Sequence, residues 1–203
     1  MITYGITVAD EFFEFKRLIN SLQPYLLPEE EIVILADAGK VTPEIKDYAG
    51  RCGLTVHERP FEKDFAAFKN HLFDLSSKDF LFQIDADEII PPSLLTALRD
   101  IGRASQVDLV FVPRINVVRG ATDADIKKFK WKINERGWEG FPDFQGRFCS
   151  TQGHIRWEGK VHEGLQGAKV GAALQNAPAE HYAILHVKEI EKQRSQNELY
   201  DTI

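Results

Sequence analysis

A chain of 203 residues, 43% apolar and 28% charged, is long enough for one well-buried core and has the composition of an ordinary soluble globular protein. No stretch approaches the roughly 18 apolar residues of a membrane span, and the first residues lack the basic region and cleavage site of a signal peptide, so the cytoplasm is the expected compartment. The net charge of -6 argues against a generic nucleic-acid binder, and two distant cysteines, Cys52 and Cys149, with no Cys-x-x-Cys partner, argue against zinc-ribbon and redox motifs.

Residues 2–8 are rich in β-branched and aromatic side chains and predict a strand. Phe12, Phe15, Leu18, Ile19 and Leu22 then recur at helical spacing. Residues 31–36 read as a buried strand ending in Asp37-Ala38-Gly39-Lys40, residues 43–51 as a short helix, and residues 54–57 as a third strand. A helix over 65–75 carries Phe65, Phe68, Leu72 and Leu75 on one stripe, and residues 80–84 form the next strand. A helix over 93–101 and a strand over 108–114 follow. The alternation predicts a parallel sheet covered by helices on both faces.

Beyond residue 117 the periodicity loosens, and residues 117–150 read as an acceptor-facing insertion of irregular or short antiparallel structure. It opens with Lys127, Lys128, Lys130 and Lys132 interleaved with Phe129 and Trp131, either a solvated face or a contact surface for an anionic or carbohydrate acceptor. Residues 154–163 alternate as a strand or hairpin, 181–187 as a last strand, and 188–200 as a charged terminal helix.

The chemistry concentrates in Phe80-Leu81-Phe82-Gln83-Ile84-Asp85-Ala86-Asp87-Glu88, an apolar strand that ends in three carboxylates. Carboxylates are costly to bury unpaired, so they belong at the strand's exit, facing solvent or a cation. Asp-x-Asp at the carboxyl end of a strand suits a divalent metal and a phosphate, because ligands of open α/β sheets collect at that edge. Asp37 maps to the same edge. The competing interpretation is an acidic turn capping the helix after Pro91 and Pro92.

With these pieces in order, the chain resembles the family 2 glycosyltransferases of the GT-A fold, in the manner of the bacterial lipopolysaccharide-core transferases. The resemblance rests on residues 31–39, on Lys69-Asn70, on Gln83 to Glu88, on Phe141-Pro142-Asp143-Phe144-Gln145-Gly146-Arg147-Phe148, and on Trp157-Glu158-Gly159-Lys160-Val161-His162-Glu163. It implies an α/β fold with a single mostly parallel sheet and a small antiparallel acceptor-side part. One domain is expected over 1–203, with a nucleotide-sugar-binding half (1–115) and an acceptor and catalytic half (116–203). Two departures stand out: the turn after Asp37 lacks the family's Asp-Asp-Gly-Ser, and no Glu-Asp pair opens a late helix to supply the base.

The implied reaction moves a sugar from a nucleotide-diphosphate sugar, with uridine the expected nucleoside, to a hydroxyl of a carbohydrate or glycolipid, with inversion. The implied cofactor is Mn²⁺ or Mg²⁺. In the roles that follow, Asp87 binds the metal and Asp85 contacts ribose or the metal through water, while His186, or else His162, completes the shell. Asp37, with backbone around Thr7, holds the nucleoside, and Lys69 approaches the diphosphate. Glu163 is the expected base, with Asp143 the second choice, and Trp157 and Trp138 offer apolar faces to a sugar ring. The alternatives are a catalytically degenerate nucleotide-sugar-binding module and a sugar-nucleotide pyrophosphorylase, although residues 5–10 lack the latter's Gly-rich loop.

Overall fold

A computed structural model describes residues 1–104, 106–160, 162–175 and 178–200, with backbone alone for residues 179 and 196–200. Val161, inside the second late motif and the expected 154–163 hairpin, lies outside the described residues.

The first half follows the predicted alternation: β1 (Ile2–Val8), α1 (Phe12–Leu22), β2 (Glu31–Asp37), α2 (Pro43–Arg51), β3 (Val56–Arg59), α3 (Phe65–Leu75) and β4 (Phe80–Asp85). In α1 the residues at helical spacing, Phe15, Leu18, Ile19 and Leu22, are all fully buried. Asp64 caps α3, its carboxylate accepting the Ala67 N–H at 2.8 Å. Strand β3 begins two residues later than the sequence predicts. Gly53, at φ 73°, and Leu54 close α2 instead, the Leu54 N–H bonding the Ala49 carbonyl and the Gly53 N–H that of Gly50. That is a Schellman ending, and it takes Leu54 out of the strand.

Next come a two-residue β5 (Glu88–Ile89), α4 (Pro92–Ala104) and β6 (Leu109–Arg119), which runs five residues past its predicted end. The segment expected to be irregular holds α5 (Asp123–Phe129) and a twelve-residue strand, β7 (Glu139–Ser150). The hairpin expected over 154–163 is a pair of short strands, β8 (Arg156–Glu158) and β9 (Gly164–Gln166), followed by β10 (Gly171–Ala173). The chain closes on β11 (Ile184–Glu189), displaced three residues from its predicted start, and α6 (Ile190–Tyr200).

The main sheet has the order β3-β2-β1-β4-β7-β6-β11-β5, with β10 also on β6. Strands β3, β2, β1 and β4 are mutually parallel, as are β6, β10 and β11, while β7 and β5 run antiparallel to their neighbours. Alternate residues separate the core into two layers. Tyr4, Ile6, Ile34, Phe82 and Ile84 pack with α1, α2 and α4, whereas Val33, Leu35 and Leu81 pack with α3 and Trp157. No helix among the described residues is long and apolar enough to cross a membrane.

Candidate active site

The carboxyl ends of β1 and β4 converge with interior positions of β6, β7 and β11. Thr7 sits opposite Asp85 in the β1–β4 register, Arg114 opposite Asp143 between β6 and β7, and His186 opposite both Asn116 of β6 and Glu88 of β5. They open onto a cleft of about 1080 Å³. Thr7, Asp37, Lys69, Asp85, Asp87, Asp143, His162, Glu163 and His186 all line it.

Asp85 ends β4 with both oxygens engaged. Thr7 Oγ1 donates to Oδ1 at 2.8 Å and Arg147 Nη2 to Oδ2 at 3.1 Å. Burial opposes its charge, but Lys69 and Arg147 outweigh that and hold the carboxyl well below the usual range. Thr7 thus lines the cleft and fixes Asp85.

Asp87 faces His186, whose Nε2 lies 3.6 Å from Oδ2, and Lys192 of α6, whose Nζ donates to the same oxygen at 3.2 Å. Burial again works against the charge, and the neighbouring His186 and Lys192 overcome it, so Asp87 is held below its ordinary value. The His186 ring is fixed from behind by Asn116, with Nδ1 2.9 Å from Oδ1. Asn116 gives its amide N–H to Asp143 Oδ2 at 2.9 Å, and a carboxylate only accepts. The amide oxygen must therefore face the ring, Nδ1 must donate, and Nε2 is the nitrogen turned toward Asp87.

Beneath these acids runs a buried charge network that the sequence reading missed. Glu88, fully buried, accepts from Arg147 Nη2 at 2.9 Å and from the Asp85 backbone N–H at 2.9 Å, with Arg114 3.6 Å away. It is a structural carboxylate. Arg114 also grips Asp143 through Nε at 3.0 Å and Nη2 at 2.8 Å. With Gln145 Nε2 on Oδ1 at 2.6 Å, Asp143 has four side-chain donors. Burial pushes its carboxyl up, and Arg114 and these hydrogen bonds bring it below the usual range. Arg147 is the extra residue of a β-bulge, where Val110 and Phe111 of β6 pair with Phe148 and Gly146. The bulge re-aims the arginine from the ladder into the network.

The α3 side supplies the other wall. Lys69 Nζ forms an ion pair with Glu163 Oε1 at 2.7 Å and lies 4.8 Å from the Trp157 ring centre. His162, beside Glu163, has φ 55°, a left-handed conformation that His tolerates better than most residues. Trp157 is a packing residue rather than a sugar-facing one. Its side chain is buried, its indole N–H donates to Gln83 Oε1 at 2.7 Å, and Asn70 clamps its backbone in both directions at 2.8 and 2.9 Å. The Lys69-Asn70 pair thus divides its work: Asn70 anchors β8 while Lys69 meets the acid. Trp138 is half-buried against Phe141, with the Arg136 guanidinium 4.9 Å from its ring centre.

At the β2 end, Asp37 Oδ1 accepts the Gly39 N–H at 3.0 Å, and Phe61, Phe65 and Phe68 form an aromatic wall to the cleft. Lys188 and Lys192 bring cations from β11 and α6. Burial lowers the Lys188 ammonium from its ordinary value, and Glu139, across the cleft lining, is raised first by burial and then by Asp143. Among the described residues no three His, Cys, Asp or Glu side chains are gathered as a ready metal site.

No protein-family model and no curated protein matches the sequence. Solved structures do. S. aureus TarS 1-349 superposes with a TM-score of 0.62 at 14% identity, over 92% of this chain and 60% of that one. TarS 1-349 in complex with UDP-GlcNAc gives 0.63 at 14% identity, over 92% and 58%. Glucosyl-3-phosphoglycerate synthase from Mycobacterium tuberculosis, in complex with Mn²⁺ and uridine-diphosphate-glucose, gives 0.50 at 18% identity, over 79% and 60%. The chain spans about three fifths of the length of each of these structures. The architecture, a mostly parallel sheet flanked by helices with its cleft at the carboxyl ends of β1, β2 and β4, is the GT-A fold of glycosyltransferases.

Proposed function

We propose that this chain is a metal-dependent, inverting glycosyltransferase of the family 2 kind that uses a nucleotide-diphosphate sugar, UDP-hexose first among the candidates. The observation that carries the reading is the pairing of Asp87 with a His186 whose Nε2 is presented by Asn116, at the strand edge where such folds hold diphosphates. Residues 1–115 would hold the nucleotide sugar, and 116–203 would hold the acceptor and supply catalytic groups. A carboxylate with an imidazole nitrogen suits Mn²⁺ better than Mg²⁺, so Asp87 and His186 would hold that cation. When bound, the cation neutralises the charge that develops on the departing diphosphate.

The chain's own residues supply the rest. Asp37 and the Phe61–Phe65 wall would take the nucleoside, Asp85 would contact ribose or the cation, and Lys192 and Lys188, which line the same cleft, would face the diphosphate. Glu163 is assigned as the base. It removes the acceptor proton as the hydroxyl oxygen bonds to the anomeric carbon and the bond to the diphosphate breaks. Lys69, at 2.7 Å, keeps that carboxylate oriented. Asp143, already held by four side-chain donors, is less available.

A second reading, a binding module without turnover, draws on the same contacts, because Asp87, Glu163 and Asp143 each already have cationic partners. A panel of nucleotide sugars with Mn²⁺, assayed for donor hydrolysis and for calorimetric binding, separates the two. Turnover abolished by Glu163→Gln, with Mn²⁺-dependent binding abolished by Asp87→Ala, supports the transferase. Parent-rate turnover in Glu163→Gln but not in Asp143→Asn moves the base to Asp143. Binding without turnover selects the module.

A further inference from the structure

We propose that the segment from α5 to the start of β7 is an acceptor platform for an anionic saccharide, one carrying phosphate or carboxylate groups. This rests on the glycosyltransferase reading and names the class of its acceptor. Residues 127–136 place five cations and one acid in ten positions, in a chain whose net charge is -6. The lysines at 127, 128, 130 and 132 are exposed, and none forms an ion pair among the described residues. By contrast, Lys69, Arg114, Arg147 and Lys192 of the cleft are each bound to an acid. A solvated helix face needs no aromatic companions, yet Phe129 stacks on Trp131 at 4.9 Å between ring centres, and Trp131 lines the cleft.

The platform is built in advance of any ligand. A capping box between Thr122 and Asp125 starts α5, and Arg194 of α6 holds Asp125 at 2.7 Å. Residues 132–140 fold back as a hairpin, the Gly140 N–H bonding the Lys132 carbonyl and Asn134 Oδ1 accepting two backbone N–H groups. Flat apolar rings suit the C–H faces of a sugar, and ammonium groups without a carboxylate partner, one of them 5.2 Å from the Phe129 ring centre, suit its charges. A nucleic acid shares that charge, but the chain's acidic balance elsewhere disfavours a long polyanion.

The test is calorimetry on the whole chain at low and high salt. The probes are an oligogalacturonate, a phosphorylated manno-oligosaccharide, a neutral malto-oligosaccharide and a single-stranded oligonucleotide. We expect at least one anionic saccharide to bind roughly tenfold or more tighter than the neutral one, and to weaken as salt rises. Replacing the four lysines by Gln should remove that preference and replacing them by Arg should keep it, with Mn²⁺–UDP binding unchanged in both. Which anionic saccharide binds identifies phosphate or carboxylate as the recognised group. Equal binding of the neutral saccharide, no saccharide binding, parent-like affinity in the Gln variant, or tighter binding of the oligonucleotide would each overturn the proposal. Absence of UDP binding by the parent protein would instead overturn the transferase reading beneath it.

Discussion

Asn116 and His186 face each other across β6 and β11, and the 2.9 Å contact between Oδ1 and Nδ1 decides which imidazole nitrogen looks into the cleft. The same amide is tied to Asp143 at 2.9 Å, so the His186–Asp87 pair and the Arg114–Asp143 pair share one side chain. Replacing Asn116 by Leu keeps the branched shape but removes the amide, which frees the ring to rotate or change tautomer. We expect Mn²⁺ affinity to fall about 10- to 100-fold, the usual effect of losing an outer-shell partner. Calorimetry reads the loss, and imidazole ¹⁵N shifts that still show a single Nδ1–H tautomer in the variant would refute the assignment.

Arg147 neutralises Glu88 and Asp85 from a position only 3% exposed. Its Nε and Nη1 have no hydrogen-bond partner among the described residues, so the arginine is retained for its charge and not for complete satisfaction. Arg147→Met fills the space and leaves a fully buried Glu88 with the Asp85 N–H and, as its remaining cation, Arg114 3.6 Å away. We expect a loss of about 3–5 kcal/mol in urea unfolding, the cost of an uncompensated buried charge. Adding Glu88→Gln to that variant should recover part of it. Additive losses would mean that the two side chains are not coupled.

Lys192 places a positive charge 3.2 Å from the carboxylate assigned to the metal. Burial works against its charge, but Asp87 and Glu11 outweigh that and hold the ammonium protonated. In the absence of a donor, lysine and metal compete for one oxygen. Lys192→Met should therefore strengthen Mn²⁺ binding to the free protein by up to about fivefold, the scale of a half-exposed ion pair. It should weaken binding of Mn²⁺–UDP, because the displaced ammonium is then missing from the diphosphate. Calorimetric titrations with and without UDP measure both, and a shift of the same sign in the two would rule out the exchange.

The sheet's first half was legible because β1, β2 and β4 are largely buried and read as apolar runs, so the acids that end β2 and β4, Asp37 and Asp85, stood out. Strand β7 was not. Asp143, Gln145 and Arg147 line the cleft, so its polar residues face the site rather than water, and Gly140, Pro142 and Gly146 break the pattern further. A buried arginine at a bulge, or an asparagine that matters because it meets a histidine 70 positions away, acquires meaning only from strand register. Glu88 stood in plain sight beside Asp87, but its zero exposure and its arginine partners separate it from the two acids before it. Only the registers turn a list of acids into a site with an inside and an outside.

Glu139 provides the pH-dependent test of that inside. It lies half-buried in the cleft lining, and its carboxyl is raised first by burial and then by the charge of Asp143, with Arg114 opposing. A carboxyl raised on folding is disfavoured in its ionised form. The folded state is therefore relatively more stable below the ordinary glutamate value of about 4.3, and loses that margin as pH rises through the folded value. Glu139→Gln removes the ionisation. The variant should unfold at higher urea than the parent near pH 7, and the difference should shrink as the pH falls toward 4. A variant less stable at neutral pH would instead show that Glu139 is held there by a favourable partner.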